Sequence, residues 1–487
     1  QIKDILEGTW ACIIHDIKDP NRLYFMKNEN PLLIGINNDV TMFTSEPSGF
    51  MNKIDKYILL RDKTYGYIEN NNKLIVGEFK ELDLIKTSDD DFKLSTEFNH
   101  WMYKEILDQR NLNILKDPIT EKLRYNNNNI LFDFEFIKPC KYLYIIACGS
   151  SYYAGLIASN YFRYTKAFEF INVYDGGEFT KAHLEAIKNP EEDLLILLLS
   201  QSGETRDLNI ATTICREFSS NRINKLKPNE LLINNDFSSE KMIDKDNLGE
   251  IKIIGIINVI GSLISRRTID NIYINCGREN SVASTKSCTF QIIACLLLAI
   301  YKSELNRTLD INLKNKFLTG LNKLETDINL LIQNQHKLKV IANNILNKKK
   351  SSMFLLGKDE LHGSAMEGAL KIKEIAYLHA EGFNITALKH GPYALIEKDT
   401  PIIVLYKDRN HFIKSIVEEI KTRGAYVIEF SYDCIENDEN SFKLPDNRIF
   451  TGVLSVIALQ LLSYNLSIQQ GINPDRPRNL AKVVTVD

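Results

Sequence analysis

The stretch Leu199-Ser-Gln-Ser-Gly-Glu-Thr-Arg-Asp-Leu208 lies where one kind of periodicity gives way to another. Before it, Leu194 to Leu199 is a short continuous apolar run, the composition of a strand buried on both faces of a parallel sheet. After it, Ile210 to Phe218 has helical spacing. The hydroxyls of Ser200, Ser202 and Thr205 and the amide of Gln201 therefore stand where a strand feeds a helix N-terminus. Free N–H groups and the helix dipole favour an anion there. Gly203 lets the backbone bend close to that anion. A pocket of hydroxyls with no nearby lysine suits a sugar phosphate better than a nucleoside triphosphate. The competing reading makes these residues simple N-caps. Four phosphate-compatible side chains within six residues weigh against it.

The rest of the composition narrows the class. A chain of 487 residues is too long for one ordinary core and suggests about three domains. Hydrophobic residues make up 44% and charged residues 25%, as in soluble globular proteins. A formal net charge of -3 gives no electrostatic case for nucleic acid or an acidic membrane as partner. No apolar stretch reaches spanning length, and Cys288 to Tyr301 reads as a buried helix. Gln1 opens no signal peptide. The eight cysteines (Cys12, Cys140, Cys148, Cys215, Cys276, Cys288, Cys295, Cys434) form no C-x-x-C pair and no metal spacing. Most sit in apolar segments, so a cytoplasmic protein without metal or cofactor is the simplest expectation.

Residues 1 to about 100 carry short strand-like runs: Trp10 to Ile14, Leu23 to Met26, Leu32 to Ile36, Lys56 to Leu60, Thr64 to Ile68 and Lys73 to Phe79. A loop is expected at Thr87 to Lys93, a helix at His100 to Gln109, and a solvated linker at the Asn-rich tract Tyr125 to Asn129. Strands at Tyr142 to Ala147, Phe170 to Tyr174, Leu194 to Leu199, Ile253 to Val259 and Ile272 to Cys276 then alternate with helices. This pattern predicts a doubly wound parallel sheet with its ligand at the strand carboxyl ends. An Asn-, Lys- and Asp-rich stretch between Phe218 and Lys252 reads as a surface insertion. After helices at about Leu313 to Leu331 and His336 to Leu346 the unit repeats. Strands at Met353 to Leu356, Pro401 to Tyr406 and Ala425 to Phe430 alternate with helices at Gly363 to Ala376, His411 to Arg423 and Thr451 to Ile468. Two similar halves imply duplication.

Chemistry-bearing residues gather in the second half. Glu367, Lys371 and Glu374 share one helix face at i, i+4 and i+7. A solvated ion-paired face is the plain reading. The apolar neighbours Ala369, Leu370, Ile372 and Ile375 point instead to packing, which raises a carboxylate toward the range of a general base. His390 stands on a turn set by Gly391 and Pro392 and could act near neutral pH. Lys482, in the irregular tail from Gly471 onward, is an amine able to form a Schiff base if the tail folds into a sugar site.

Six motifs follow one another along the chain: Cys148-Gly-Ser-Ser-Tyr-Tyr-Ala-Gly, Ser200-Gln-Ser-Gly-Glu-Thr, Val282-Ala-Ser-Thr-Lys286, Glu367-Gly-Ala-Leu-Lys-Ile-Lys-Glu374, Leu388-Lys-His-Gly-Pro392 and Pro477-Arg-Asn-Leu-Ala-Lys-Val-Val-Thr-Val486. Together they resemble the glutamine–fructose-6-phosphate aminotransferase family of isomerising enzymes, and each half resembles a sugar isomerase (SIS) domain. The implied fold class is α/β: two doubly wound, flavodoxin-like parallel SIS domains behind a partial α+β glutaminase domain of the N-terminal-nucleophile kind. The implied boundaries are 1–105 for the glutaminase part, 106–133 for a linker and 134–310 for the first SIS domain, with an insertion at about 221–250. Connecting helices would occupy 311–343, the second SIS domain 344–470 and a catalytic tail 471–487.

The resemblance also implies roles. Ser151, Ser200, Gln201, Ser202 and Thr205 would hold the sugar phosphate, and Val282 and Ser284 the sugar. Lys482 would form an imine at C2 of fructose 6-phosphate, and Glu374 would move the proton between C1 and C2. Glu367 and Lys371 would polarise sugar oxygens. His390, supplied by the neighbouring subunit of a homodimer, would assist ring opening. Glutamine or ammonia would give the nitrogen, and glucosamine 6-phosphate would feed UDP-N-acetylglucosamine supply. Leu6-Glu-Gly-Thr-Trp and Pro31-Leu-Leu-Ile-Gly are similar to the later part of the family's glutaminase domain, with Glu46 where the family has an Asp in the glutamine pocket. That domain's cysteine nucleophile, arginine and Asn-Gly segment have no counterpart here, and Cys12 lies inside a strand. The expectation is that the chain as given does not hydrolyse glutamine and belongs to a longer enzyme. An SIS deaminase or isomerase working without glutamine, and a non-catalytic sugar-phosphate sensor, are the rival readings.

Overall fold

The computed structural model describes residues 6, 10–28, 30, 32–45, 47–50, 53–54, 56–60, 63–70, 74–76, 84–86, 97–120, 122, 124–126, 129–187, 191–225, 249–435 and 438–482. Glu46, the loop expected at Thr87 to Lys93 and most of the insertion lie outside them. The chain divides into two units, one of Gln1–Glu97 with Gly261–Leu263 and one of Phe98–Ile260 with Ile264–Asp487.

The first unit holds β1 (Trp10–His15), β2 (Arg22–Asn28), β3 (Leu33–Ile36), β4 (Thr41–Thr44), β5 (Lys56–Leu59), β6 (Thr64–Glu69), β7 (Leu74–Val76) and β8 (Leu84–Lys86). Among the described residues they make two antiparallel sheets, ordered β1-β2-β6-β7 and β4-β3-β5-β8. Phe25 and Ile68 of the first sheet share a buried cluster with Ile34 and Ile58 of the second, so the sheets pack face to face. The short strands β4 and β8 carry no apolar alternation long enough to announce them. Pairing with β3 and β5 creates them.

The second unit begins with α1 (Trp101–Asp108), β9 (Tyr125–Asn126) and β10 (Asn129–Ile130). Two expectations are corrected here. The helix α1 belongs to this unit rather than to the N-terminal domain. The stretch 106–133 is no free linker, because Ile106, Ile114, Tyr125 and Ile130 are buried in the main core. Tyr125 and Ile130 close the Asn-rich tract as a two-strand ladder. Arg124 pairs with Asp117 at 2.8 Å and donates to Ile114 O at 3.2 Å.

Two parallel sheets follow. β11 (Tyr142–Ala147), α2 (Gly149–Tyr164), β12 (Phe170–Asp175), α3 (Lys181–Glu185), β13 (Leu194–Ser200), α4 (Arg206–Lys225), β14 (Ile251–Ile257), α5 (Leu263–Arg267), β15 (Asp270–Tyr273) and α6 (Lys286–Leu305) build the first half. After α7 (Ile311–Gln333) and α8 (His336–Asn347), the second half uses β16 (Ser352–Gly357), α9 (Glu360–Ala376), β17 (His379–Asn384), β18 (Pro401–Leu405), α10 (His411–Lys421), β19 (Tyr426–Ser431), β20 (Ser441–Lys443) and α11 (Thr451–Gln469). The strand orders β12-β11-β13-β14-β15 and β17-β16-β18-β19-β20 are the same topology twice, every pairing parallel. The edge strands β17 and β20 escape a reading of apolar runs, since His379-Ala-Glu-Gly-Phe-Asn and Ser441-Phe-Lys are mostly polar.

Alternation along each strand sets the layers. Leu143, Ile145, Leu195 and Leu197 point into the same core as Leu355, Ile403 and Phe430 of the second sheet. Helices α2, α6, α9 and α11 fill that core between them. The intervening residues Ile146, Ile196 and Leu198 face outward against Leu208 and Cys215 of α4, as Phe354, Ile402 and Val404 face Ile416 and Val417 of α10. Helices α6 and α11 are long and apolar enough to cross a membrane, yet 89% and 94% of their most apolar stretch is buried in the fold. They are core helices. All eight cysteines are free thiols.

Candidate active site

Register places the phosphate motif. Ala147 pairs with Leu199, so the turn after β11 and the turn after β13 open side by side at the sheet's carboxyl edge. The strand order reverses at this point, which is where open α/β sheets bind ligands. Gly149 and Gly203 both take left-handed backbone (φ +55° and +68°), which turns the chain sharply into α2 and toward α4. Ser200 Oγ accepts from Gly203 N–H at 2.9 Å and lies 3.1 Å from Thr205 Oγ1. Ser202 Oγ accepts from Glu204 N–H at 3.1 Å. Two N–H groups expected to meet an anion are thus used to brace the loop itself. What the braced loop presents is a preformed cluster of hydroxyls. Ile264 N–H donates to Gly203 O at 2.9 Å and fixes the loop from the far side.

A second cluster comes from the crossing of the two halves. Gly363 in α9 lies so close to α2 that a Cβ there would stand 2.7 Å from Ile157 Cγ1 and 3.3 Å from Tyr153 O. This approach brings Lys371 Nζ to 3.0 Å from Ser150 Oγ, 2.6 Å from Glu374 Oε2 and 3.5 Å from Glu367 Oε1. Glu367 and Lys371 are completely buried, while Glu374 keeps 21% of its side chain exposed. The packed reading of this face therefore holds. Burial drives the Glu367 carboxyl up to about 7, the nearby Lys371 ammonium opposing it only in part. Burial alone would lower Lys371, but Glu367 and Glu374 together hold it above its ordinary range.

A third cluster gathers where the loop before α6 meets the tail. Lys482 Nζ donates to Ser281 O at 2.8 Å and sits 3.3 Å from Glu279 Oε2. Glu279 is fully buried and also accepts from Thr285 N–H (2.9 Å), Ser287 N–H (3.0 Å) and Ser287 Oγ (2.7 Å). Burial pushes its carboxyl up, but Lys482 and the bonds from Ser287 and Thr285 outweigh burial and hold it at about 2. Glu105 of α1 accepts from Asn280 N–H and Ser281 Oγ, and burial beside Glu279 raises it to about 7. Cys288 joins the clusters. It donates to Ser150 O at 3.5 Å and feels the charges of Glu367 and Lys371 as well as that of Glu279.

The tail that carries Lys482 is tied down before it arrives. Asp475 accepts from Trp101 N–H and Met102 N–H, each at 2.8 Å, and so caps α1 from 373 residues away in sequence. Val282 N–H donates to Asp475 O at 3.1 Å. Arg478 N–H donates to Tyr377 OH at 2.8 Å, with its guanidinium 4.3 Å over that ring.

The sequence-predicted residues thus fall into groups. Ser200, Gln201, Ser202 and Thr205 form one loop, with Ser151 on the neighbouring helix start. Glu367, Lys371 and Glu374 form one cluster. Lys482 meets the loop that carries Val282 and Ser284, whose Oγ lies 2.7 Å from Ser287 Oγ. His390 is not brought in. It is exposed at the end of the turn Ala387–His390, and among the described residues no hydrogen bond or ion pair joins it to Lys482 or Glu374. Sequence reading missed Glu279, Ser281, Glu105, Ser150 and Asp475. Glu279, Ser281 and Ser150 had one signal, position: Glu279 and Ser281 lie just before the Val282 motif and Ser150 beside Ser151, whereas Glu105 and Asp475 had none.

Comparison with known proteins shows the family. The SIS domain family model matches residues 136–223 and 345–468, one match in each half. The chain is 36% identical over 99% of its length to a protein of Acanthamoeba polyphaga mimivirus named as a probable glutamine–fructose-6-phosphate aminotransferase [isomerizing], of which it covers 74%. It is 30% identical over 99% of its length to the Clostridium tetani protein of that name, of which it covers 75%. The solved C-terminal domain of glucosamine-fructose-6-phosphate aminotransferase from Francisella tularensis superposes with a TM-score of 0.63 at 26% identity, over 79% of this chain and all of that one. The chain belongs to the family of isomerising glutamine–fructose-6-phosphate aminotransferases.

Proposed function

We propose that this chain converts fructose 6-phosphate to glucosamine 6-phosphate at the carboxyl edge of the first SIS sheet. One observation carries the reading. A lysine amine anchored at Glu279 and Ser281, and a carboxylate–lysine–carboxylate cluster, both adjoin the start of α6. The hydroxyl loop 200–205 and Ser151 hold the phosphate, and Val282 and Ser284 meet the sugar. The Lys482 amine adds to C2 of the open-chain ketose and water leaves, giving an imine. Ammonia then displaces Lys482 from C2, and a proton passes from C1 to C2, turning the ketose imine into the 2-amino aldose. Glu374 carries that proton. Its carboxylate is the partly exposed member of its cluster, paired to Lys371 at 2.6 Å. Glu367 and Lys371, fully buried, hold and polarise the sugar oxygens.

His390 assists ring opening from the neighbouring subunit of a homodimer. Its exposure at the end of the turn Ala387–His390 favours that supply in trans. Glutamine is the nitrogen donor in the names of the relatives, and free ammonium bypasses that half of the reaction. Hexosamine supply in the cytoplasm suits eight free thiols.

The test is Lys482→Ala with ammonium as donor. Synthesis of glucosamine 6-phosphate is expected to vanish while calorimetric binding of fructose 6-phosphate persists. Synthesis at the rate of the parent chain would refute the imine.

A further inference from the structure

We infer that Glu279 is the counter-ion and positioning residue of Lys482, holding the amine before reaction and balancing the positive charge of the iminium formed on it. This rests on the imine reading above. The geometry supplies the reasons. Glu279 is wholly buried, yet it is ionised among donors: the N–H groups of Thr285 and Ser287, the hydroxyls of Ser284 and Ser287, and the Lys482 ammonium. A buried carboxylate is costly unless such partners compensate it. The start of α6 supplies two of them, and Lys482 is the strongest single influence holding Glu279 ionised against its burial.

The second anchor, Ser281 O at 2.8 Å, is itself fixed by Glu105, which binds Asn280 N–H and Ser281 Oγ. Burial next to Glu279 keeps Glu105 partly protonated near neutrality, so the two carboxyls do not together present two full charges.

The consequence is specific to one step. The Lys482 ammonium first gives one proton to solvent; the free amine then adds to C2, and as the C–N bond forms a second N–H proton passes to the former ketone oxygen, so the carbinolamine is neutral. Loss of its hydroxyl as water, with the proton supplied by solvent, forms the C=N bond and returns a positive charge to the same nitrogen. A fixed negative charge 3.3 Å away favours the charged species over the neutral one.

The experiment uses the whole chain and traps the iminium with borohydride in the presence of fructose 6-phosphate, reading the reduced adduct on Lys482 by peptide mass spectrometry. Glu279→Gln keeps a carbonyl oxygen for Thr285 and Ser287 but removes the charge. Glu279→Asp keeps the charge on a shorter arm. The expected result is an adduct yield about tenfold or more lower in Glu279→Gln, with a partial return in Glu279→Asp and sugar-phosphate affinity within about threefold of the parent. Yields are normalised to folded protein by circular dichroism. Equal trapping in Glu279→Gln and the parent, or less in Glu279→Asp than in Glu279→Gln, overturns the assignment. An unsubstituted chain that gives no adduct at Lys482 overturns the imine reading and this inference with it.

Discussion

Replacing Gly363 by alanine sets two effects of opposite sign against each other. In a solvent-facing helix the change would stabilise by at most about 1 kcal/mol, since glycine is the poorer helix former. Here the new Cβ would stand 2.7 Å from Ile157 Cγ1, 3.2 Å from Ile157 N and 3.3 Å from Tyr153 O. The isoleucine is β-branched and has little rotamer freedom to turn aside. Two of the three atoms are backbone and move only if α2 moves. The helices must part by several tenths of an ångström, and overpacking of this kind costs about 1–3 kcal/mol. The net expectation is a loss of about 1 kcal/mol where propensity alone predicts a gain. The same displacement stretches the 3.0 Å bond between Lys371 and Ser150, two turns further along α9. Misplacement on this scale should lower turnover about tenfold. Thermal unfolding and the ammonium-dependent synthesis assay read the two effects. A higher melting temperature with unchanged turnover would show that the crossing does not position the cluster.

Two further outcomes follow from the buried charges and the tail. Glu367 is raised to about 7 against an ordinary 4.5, so the folded chain binds a proton that the unfolded chain has released in between. Its contribution to stability is therefore lost as pH rises from 4.5 toward 7, by about 3 kcal/mol. Glu367→Gln should flatten that part of the urea-midpoint profile, and an unchanged profile would assign the dependence elsewhere. Asp475→Ala should remove about 0.5–2 kcal/mol by uncapping α1. It should also loosen the segment that carries Lys482, read as faster proteolysis after residue 470 together with slower synthesis. Loss of stability without either change would make Asp475 a cap and nothing more.

The strands of the central sheets were legible because each is buried on both faces, so Tyr142 to Ala147 and Leu194 to Leu199 read as unbroken apolar runs. The loop from Ser200 to Thr205 was legible for a different reason: its hydroxyls crowd into a strand–helix junction. The edge strands β17 and β20 were not, since half-exposed strands need no apolar run and take their hydrogen bonds from β16 and β19. The same limit hid part of the site. Glu105 accepts from Asn280 N–H and Ser281 Oγ, next to Glu279, from more than 170 residues away, and no local pattern marks a carboxylate that will be buried against a distant lysine. Asp475 caps a helix that begins at Trp101, whereas capping signals in sequence are local by construction. Glu367 and Lys371 lie between the two cases. Their spacing put them on one helix face, but the crossing at Gly363 and the bond to Ser150 were needed to show that the face is buried.

The most direct test of the account is product formation. The purified chain is incubated with fructose 6-phosphate and ammonium, and glucosamine 6-phosphate is quantified by mass spectrometry, with Lys482→Ala alongside. The account predicts steady synthesis by the parent chain and none by the variant. Binding of fructose 6-phosphate with no product from either would contradict it and leave a sugar-phosphate sensor in its place.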